Sequence, residues 1–386
     1  MSMARFLSLA VLVFAAVSLR GAERPVFAEE PKWDERYFVE AYQLMSYRDG
    51  VLALGPGLHF LTSGSKMTEP FPVKGVHDVT SIAKAGESVL FLGIGSDGEF
   101  VMAGEEPGKE IGLIPLPREV EKPGPVAPNG PIFPVLLSSS GLKAVTVEQT
   151  VWWLEGETWK NRKLPKVPKF YKEFEPEGLG GRRYLLGHTM FVGWDQGEWG
   201  GMMASIDLAA ENPEWVHLSG KKRDDDSGIP ENQPVRKILS TDGKSLWVGT
   251  GLAHLSGTWS GLSRRGADGR WKTLISTEFD EVSGPLSLPE GVAMATIAAD
   301  ARGRVHLLGT GAGIFRVEEK SLVQVLDYSF LLSHETDSHV VGCYPLDMAV
   351  GKQGDFFVST NAFGILAFKK EGEEWKGRQI LVKQEN

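Results

Sequence analysis

Residues 240–250 read STDGKSLWVGT: a turn that ends in glycine, a short apolar strand and a second glycine. Two later stretches repeat most of this pattern, DARGRVHLLGT at 300–310 and GKQGDFFVST at 351–360. Aligned on the glycine that ends each turn, the copies recur at intervals of 60 and 51 residues. Repeats of this period that consist of short strands are typical of β-propellers and related arrays.

The first copy also indicates what one repeat contains. Asp242-Gly243 is a strong signal for a tight hairpin between two strands. The four strands predicted for this repeat lie at 235–239, 245–249, 260–264 and 270–274. Four antiparallel strands joined by short turns form one blade of a propeller.

Weaker copies extend the repeat towards the N-terminus. Candidate second strands lie at 51–54, 89–92, 144–147 and 189–192, which together with the three later copies makes seven repeats. The run VLFL at 89–92 is apolar on both faces, as expected for a blade packed between two neighbours rather than for a sheet with one wet face. The sequence therefore predicts an all-β fold, a β-propeller with seven four-stranded antiparallel blades.

The N-terminus has the layout of a secretory signal peptide. One positive charge precedes an apolar run of 14 residues at 6–19, and small residues follow. Cleavage is expected after Ala28, with Ala22 as the second candidate. Such a run is too short to cross about 30 Å of hydrocarbon as a helix, so no membrane span is expected in the mature chain. We therefore expect a signal peptide at 1–28, a single propeller domain at 29–386, and export to the periplasm or the extracellular space.

The composition narrows the range of partners. The chain carries a formal net charge of −9 and no basic stripe. A field of this sign repels nucleic-acid phosphates and anionic membranes, so neither is expected as a partner. The single cysteine, Cys343, cannot form an internal disulfide, and a lone cysteine among apolar neighbours is usually a small buried hydrophobe. We expect a monomer that is held together by its hydrophobic core.

The repeat at 242–250 resembles the repeat of the two-component regulator propellers. The stretches 303–314 and 354–365 carry it with substitutions, so the resemblance is confined to the C-terminal part of the chain. The stretch GWDQGEWGG at 193–201 is similar to a turn of uncharacterised bacterial exported propellers. The resemblance implies a propeller of the ligand-sensing kind and supplies no catalytic residue set.

In the predicted propeller, the connections between second and third strands open on the face where propellers commonly bind ligands. Seven side chains on or beside these connections form a candidate ligand site: Trp194, Asp195, Glu198, Trp199, His254, Trp259 and Asn361. Aromatic and polar groups together suit a polar ligand with a flat face, such as a sugar. The alternative is that the carboxylates hold the turn backbone while the indoles pack between blades.

A second cluster lies between the sixth and seventh repeats, where HETDSH at 334–339 holds four potential metal ligands. They are His334, Glu335, Asp337 and His339, and imidazole with carboxylate suits zinc and other transition metals. A loop does not by itself hold ligands in the geometry that a metal needs, so a solvated polar loop is the favoured alternative. No cofactor is expected.

These features favour an exported propeller that acts as a non-catalytic ligand-binding or protein-interaction module, with a protein or a glycan as its ligand. The chain contains neither a Gly-x-Ser-x-Gly elbow nor a His-Glu-x-x-His motif, which favours binding over catalysis. Two alternatives remain open. One is a propeller hydrolase or lyase that acts on a carbohydrate or lactone with a metal near the channel axis. The other is a scaffold for envelope assembly, because a fold does not by itself decide a function.

Overall fold

Within its described residues, the computed structural model of the chain is built from β-strands joined by turns. It describes residues 22–34, 42–106, 109–120, 134–168, 182–195, 197, 200–219, 229–230, 233–254, 257–278, 281–327, 329, 333–335, 340–342 and 344–381. Residues 1–21 of the predicted signal peptide and Cys343 lie outside these ranges. In the described ranges every regular element is a β-strand, which confirms the all-β class.

The described strands include seven runs of four antiparallel strands, which we number units 1 to 7 in chain order. A short strand, β1 (Val26–Phe27), precedes them. Unit 1 consists of β2 (Gln43–Tyr47), β3 (Gly50–Leu54), β4 (Leu58–Leu61) and β5 (Glu69–Pro70). Unit 2 consists of β6 (Asp78–Ala85), β7 (Ser88–Ile94), β8 (Phe100–Glu106) and β9 (Lys109–Pro115).

Units 3 and 4 follow the same order. Unit 3 begins with β10 (Val135–Leu136) and, after the short β11 (Ser138–Ser139), continues with β12 (Lys143–Val147), β13 (Thr150–Glu155) and β14 (Thr158–Lys163). Unit 4 consists of β15 (Arg182–Leu186), β16 (Thr189–Asp195), β17 (Gly201–Asp207) and β18 (Trp215–His217).

The last three units contain the repeats that are strongest in the sequence. Unit 5 consists of β19 (Val235–Leu239), β20 (Leu246–His254), β21 (Gly257–Arg265) and β22 (Trp271–Glu278), with β23 (Glu281–Ser283) as a fifth strand. Unit 6 consists of β24 (Met294–Ala299), β25 (Val305–Gly309), β26 (Gly313–Val317) and β27 (Leu322–Asp327). After the paired strands β28 (Ser333–Glu335) and β29 (Val340–Gly342), unit 7 consists of β30 (Pro345–Val350), β31 (Phe356–Thr360), β32 (Gly364–Glu371) and β33 (Glu374–Ile380). Strand β1 pairs in parallel with β33. The second and third strands of unit 5 extend further than predicted.

The turn between the first two strands of unit 5 shows why this sequence forms a hairpin. Gly243 has a φ of 68°, a backbone conformation that glycine adopts without steric cost. Asp242 closes the turn, because its Oδ1 accepts hydrogen bonds from Lys244 N at 2.9 Å and from Ser245 N at 2.7 Å. The Asp-Gly pair therefore supplies both the backbone freedom and the acceptor that this turn requires.

The second strands bury both of their faces, as the sequence predicts. In β7, Leu90 and Leu92 belong to a core cluster that also contains Val145 of unit 3. Val89 and Phe91 belong to a different cluster, which they share with unit 1. Because alternate residues of a strand point to opposite faces, β7 is packed between two neighbouring units. This is the packing of a propeller blade and not that of a two-sheet sandwich.

The first strands of the units stand side by side around a central channel. Strand β11 pairs in parallel with β6 and with β15, which joins units 2 and 4 into one hydrogen-bonded sheet of nine strands. Further contacts link β15 to β19, β19 to β24, β24 to β30, β30 to β2 and β3 to β6. Unit 7 meets unit 1 through hydrogen bonds from Leu44 N to Asp347 Oδ2 (2.9 Å) and from Ser46 Oγ to Val350 O (2.7 Å). The chain is a β-propeller.

Candidate ligand-binding site

Trp194 and Asp195, both predicted ligand residues, end the second strand of unit 4, but their side chains have different surroundings. Trp194 is 4% exposed and packs edge-to-face against Trp215, with 6.3 Å between ring centroids. Asp195 accepts hydrogen bonds from Arg236 Nη1 at 2.5 Å and from Gly197 N at 2.9 Å. The indole therefore belongs to the core between units 3 and 4, whereas the carboxylate ties unit 4 to the first strand of unit 5.

Four further predicted ligand residues lie on the connections of units 4 and 5. Glu198 and Trp199 fall outside the described residues. His254 ends β20, where its backbone pairs with that of Gly257, and its side chain lies outside the described part of the chain. Trp259 lies in β21 and is partly buried. For these four residues the predicted ligand contacts stay predictions.

The last predicted ligand residue, Asn361, follows β31 in unit 7. Its Oδ1 accepts a hydrogen bond from Tyr344 N at 2.6 Å, and its own N donates to Tyr344 O at 3.1 Å. Asn361 thus fixes the backbone of Tyr344 immediately before the first strand of unit 7. The same residue pair places the Tyr344 side chain, which is 52% exposed, beside the channel.

The four predicted metal ligands lie between units 6 and 7. His334 and Glu335 belong to β28, which pairs with β29, and their side chains fall outside the described part of the structure. Asp337 and His339 lie outside the described residues altogether. Among the side chains that are described, no group of histidine, cysteine and carboxylate residues is arranged to hold a metal ion.

Described residues of the first strands line a cavity at each end of the central channel. A cavity of about 590 Å³ lies where the first strands begin and the second strands end, on the face of the second-to-third strand connections. We call it the connection-side cavity. A cavity of about 550 Å³ lies at the opposite face, beside the turns that join first and second strands, and we call it the hairpin-side cavity. The two share Gln43, Ser138, Lys237 and Ile238 in their linings.

Cations dominate the lining of the connection-side cavity. Four cationic side chains and one carboxylate line it: Arg182, Arg183, Arg236, Lys237 and Asp347. The cations come from the first strands of units 4 and 5, which border the channel. The cavity is therefore cationic although the whole chain carries a net charge of −9.

A β-bulge gives Arg236 and Lys237 their separate directions. The register between β19 and β20 shifts between Val235 and Lys237, so Arg236 is the inserted residue. A bulge of this kind changes the direction of a side chain relative to the regular pleat. Arg236 extends towards unit 4, where it contacts Asp195, and its Nε donates to Gly251 O at 2.7 Å. Lys237 extends across the channel instead.

Lys237 forms an ion pair with Asp347 of unit 7, with 2.6 Å between Nζ and Oδ1. Asp347 is buried, and it also accepts hydrogen bonds from Leu44 N at 2.9 Å and from Thr296 Oγ1 at 3.4 Å. These contacts join units 5, 6, 7 and 1. Because Lys237 lines both cavities, the pair, which we call the cross-channel pair, lies between them.

Arg183 lies on the same first strand as Arg182 but has no ion-pair partner among the described residues. Its Nη1 donates to Thr146 Oγ1 of unit 3, and its buried Nε has no hydrogen-bond partner within the described structure. Burial lowers the pKa of Arg183 to about 10, so the guanidinium is still protonated at neutral pH. A partly buried cation with an unsatisfied donor is a group that an anionic ligand can stabilise.

Sequence reasoning placed a candidate ligand site on the face of the second-to-third strand connections, which stays a prediction, and missed the cationic side chains that line the cavity there. The signal was present in the repeat at 235–239, where Arg236 and Lys237 interrupt a strand predicted to be the first of its blade. The first strand of a blade lines the channel, so paired cations at this position indicate a charged channel wall. Arg182 and Arg183 repeat the same signal one unit earlier.

No family model and no curated protein matches the chain. A structure of YCF48 from Cyanidioschyzon merolae is 14% identical over 89% of this chain and 97% of its own, with a TM-score of 0.44. A structure of YCF48 bound to D1 peptide is 12% identical over 90% of this chain and 98% of its own, also with a TM-score of 0.44. PorZ, a surface component of the type-IX secretion system of Porphyromonas gingivalis, is 14% identical over 92% of this chain and 42% of its own, with a TM-score of 0.29.

These similarities are too distant to assign a family, so the resemblance to two-component regulator propellers stays a prediction. The fold class follows from the strand pairing and core packing of the chain itself. Among the described residues, no helix is long and apolar enough to cross a membrane.

Proposed function

We propose that this protein is an exported, seven-bladed β-propeller that acts as a non-catalytic binding module for a protein partner. The partner occupies the connection-side cavity and its rim. The observation that carries the proposal is this cavity of about 590 Å³, because it combines a partly buried arginine that lacks an ion-pair partner among the described residues with exposed apolar surface at Tyr344. Its volume falls within the range of ligand sites in proteins.

Two alanines of one strand offer a matched test of which end of the channel binds. Ala295 lines the connection-side cavity and Ala299 lines the hairpin-side cavity, and both belong to β24 and are partly buried. The substitutions Ala295→Trp and Ala299→Trp each fill one end of the channel with the same side chain.

The experiment selects ligands with the unsubstituted protein from a library of displayed random peptides and from a glycan array. We expect selected peptides to lose binding to Ala295→Trp and to keep it with Ala299→Trp, with both variants unfolding within a few degrees of the parent. Selection of no peptide, or equal loss in both variants, would contradict the proposal. If only glycans are selected, the partner is a glycan and the proposal of a protein partner is wrong.

Export is the second part of the proposal, and the contacts of the N-terminal segment favour one cleavage site. Phe27 packs edge-to-face on Phe368, with 6.0 Å between ring centroids. Gly377 leaves the space for this ring, because a Cβ at that position would lie within 3 Å of it. Cleavage after Ala28 removes these contacts, whereas cleavage after Ala22 keeps them. We therefore propose that the mature N-terminus is Glu23.

The mass of the exported protein tests this assignment directly. We expect an N-terminus at Glu23, and a protein that lacks residues 23–28 should unfold at a lower temperature, since it loses the pairing of β1 with β33 and the Arg24–Asp327 ion pair of 3.2 Å. An exported protein that begins at Glu29 with unchanged thermal stability would show that this segment belongs to the signal peptide. Retention of the whole chain in the cytoplasm would refute export itself.

A further inference from the structure

We propose that the connection-side cavity binds carboxylate groups and that the bound segment of the partner is acidic. This inference rests on the proposed function, because it names the chemistry of the ligand at the same site. It predicts that Arg183 forms charge-assisted hydrogen bonds to a ligand carboxylate, with Arg182 beside it at the rim.

The two cavities of the channel differ in charge. The lining of the connection-side cavity carries four cations and one carboxylate, whereas the hairpin-side cavity carries two of each, Lys84 and Lys237 against Glu87 and Asp242. The positive charge of the channel is thus concentrated at one end. A concave surface of one sign raises the local concentration of ligands of the opposite sign.

Two of the four cations already have a carboxylate partner. Lys237 is neutralised by Asp347 and Arg236 by Asp195. Neither Arg182 nor Arg183 has a carboxylate within ion-pair distance among the described residues. Two positive charges therefore lack a counter-charge in the described structure. The free-energy cost of the uncompensated charge is larger for Arg183 than for Arg182, because Arg183 is partly buried.

Hydrogen bonds hold Arg182 and Arg183 in place. Arg182 Nε donates to Arg236 O at 3.1 Å, and Arg183 Nη1 donates to Thr146 Oγ1. A guanidinium has five N–H donors, so each side chain keeps several of them for a ligand. A donor group that is already ordered loses less conformational entropy when it binds, which favours affinity.

The lining of the cavity favours a peptide carboxylate over a sugar. Binding of a sugar by stacking needs an accessible aromatic face, and neither described tryptophan proposed for this role, Trp194 or Trp259, lines the cavity. The planar fork of a guanidinium instead matches a carboxylate with two parallel hydrogen bonds. Exposed Tyr344 and partly buried Leu346 next to the cations suit the apolar residues that flank an acidic side chain in a protein segment.

Fluorescein-labelled hexaglutamate and hexaglutamine are suitable probes for the test, with fluorescence anisotropy at low ionic strength as the measurement. We expect hexaglutamate to bind and hexaglutamine not to bind. Arg183→Gln should weaken hexaglutamate binding about tenfold or more, because a hydrogen bond to a charged group contributes roughly 1.5–3 kcal/mol. Lys84→Gln in the hairpin-side cavity is the control and should leave the affinity unchanged.

Several results would overturn the inference. Equal affinity for hexaglutamate and hexaglutamine, or the same loss in Lys84→Gln as in Arg183→Gln, would show that the cavity does not recognise carboxylates. Glutarate or inorganic phosphate that binds as tightly as hexaglutamate would show a site for a small anion and not for a protein segment. If Arg183→Gln does not fold, Arg183→Lys keeps the charge without the planar fork and should still weaken binding severalfold.

The two proposals can fail separately. A library-selected peptide that lacks carboxylates but loses binding to Ala295→Trp would overturn the carboxylate inference and leave the binding module standing. If no peptide binds at all, both fail.

Discussion

The two ends of the channel are formed by the same first strands, yet they differ in charge. At the hairpin end the lining includes Ser140, Thr241 and the turn glycine Gly243, and its two cations are balanced by two carboxylates. At the connection end it contains arginines and a partly exposed tyrosine. Hairpins of two strands demand particular turn residues, whereas connections between strands vary in length and composition. The comparison suggests that the hairpin end maintains the fold and that the connection end is available for binding.

The strongest test of this division removes the cross-channel pair that separates the two cavities. Asp347→Ala leaves Lys237 without its partner and removes the acceptor of Leu44 N. We expect the free energy of unfolding in urea to fall by about 3 kcal/mol, at the lower end of the range for broken buried pairs because Lys237 is partly exposed.

Lys237→Met is the matched control, because Asp347 then keeps its hydrogen bonds from backbone N–H groups. It should destabilise the protein less than Asp347→Ala does. A loss below 1 kcal/mol in Asp347→Ala would mean that the pair contributes little to joining the units. Equal losses in the two variants would mean that the hydrogen bonds from the backbone to Asp347 add nothing beyond the ion pair.

The next largest effect is expected at the hairpin end, in the turn of unit 6. Asp300 Oδ1 accepts hydrogen bonds from Arg302 N at 2.9 Å and Arg304 N at 3.0 Å, and its Oδ2 contacts Arg304 Nε at 2.7 Å. Asp300→Ala should reduce the free energy of unfolding by about 2 kcal/mol, as expected for hydrogen bonds to a buried charged group. Binding of hexaglutamate should not change. A loss of binding would contradict the assignment of folding to the hairpin end and of binding to the connection end.

The same carboxylate makes stability depend on pH. Burial raises the pKa of Asp300, but hydrogen bonds from Arg304, Arg302 and His306 outweigh this effect and hold the pKa below its usual value. A carboxyl group with a depressed pKa in the folded state stabilises the protein above its unfolded pKa, and this contribution is lost as the pH falls. The difference in unfolding free energy between the parent protein and Asp300→Ala should therefore have its maximum value at pH 6 and decrease below about pH 4. A difference that stays constant down to pH 3 would contradict this assignment.

A smaller effect is expected from the turn glycine of unit 5. Gly243 has room for a Cβ, whose nearest neighbour would be Ser140 Cβ at 3.7 Å, so a substitution there is disfavoured by the φ of 68° alone. Gly243→Ala should cost about 1 kcal/mol, the penalty of a left-handed conformation for an L-residue. Gly112→Ala in β9, where the φ is not positive and no atom lies within 4 Å of the added Cβ, should be close to neutral. Equal stability of the two variants would show that the turn tolerates other residues.

Much of the fold could be predicted from the sequence, because its signals are local. The Asp242-Gly243 turn and the two-faced apolar run of β7 are readable from neighbouring residues, and the structure confirms both. The candidate site depends on contacts between distant residues. Lys237 and Asp347 are 110 positions apart, and only the arrangement of the units around the channel brings them together. The bulge at Arg236 also changes the direction of a side chain in a way that alternation does not predict.

Arg183→Gln is expected to have the smallest effect on stability together with a large effect on binding, so it tests the difference between the two ends most directly. Arg183→Gln removes a hydrogen bond to Thr146, which destabilises the protein, but it also removes a partly buried charge whose pKa is lowered by desolvation. These contributions oppose each other, so the free energy of unfolding should change by less than about 1 kcal/mol. Hexaglutamate binding should nevertheless fall about tenfold or more.

Urea unfolding and anisotropy on the same protein samples would measure both effects of Arg183→Gln. Loss of more than about 2 kcal/mol of stability would show that Arg183 is needed for the packing of units 3 and 4, as buried partners of a hydrogen bond often are. In that case the connection end would also maintain the fold. Near-constant stability with lost binding would show that this end carries an arginine that the fold does not require, as expected where a site is kept for a ligand and not for folding.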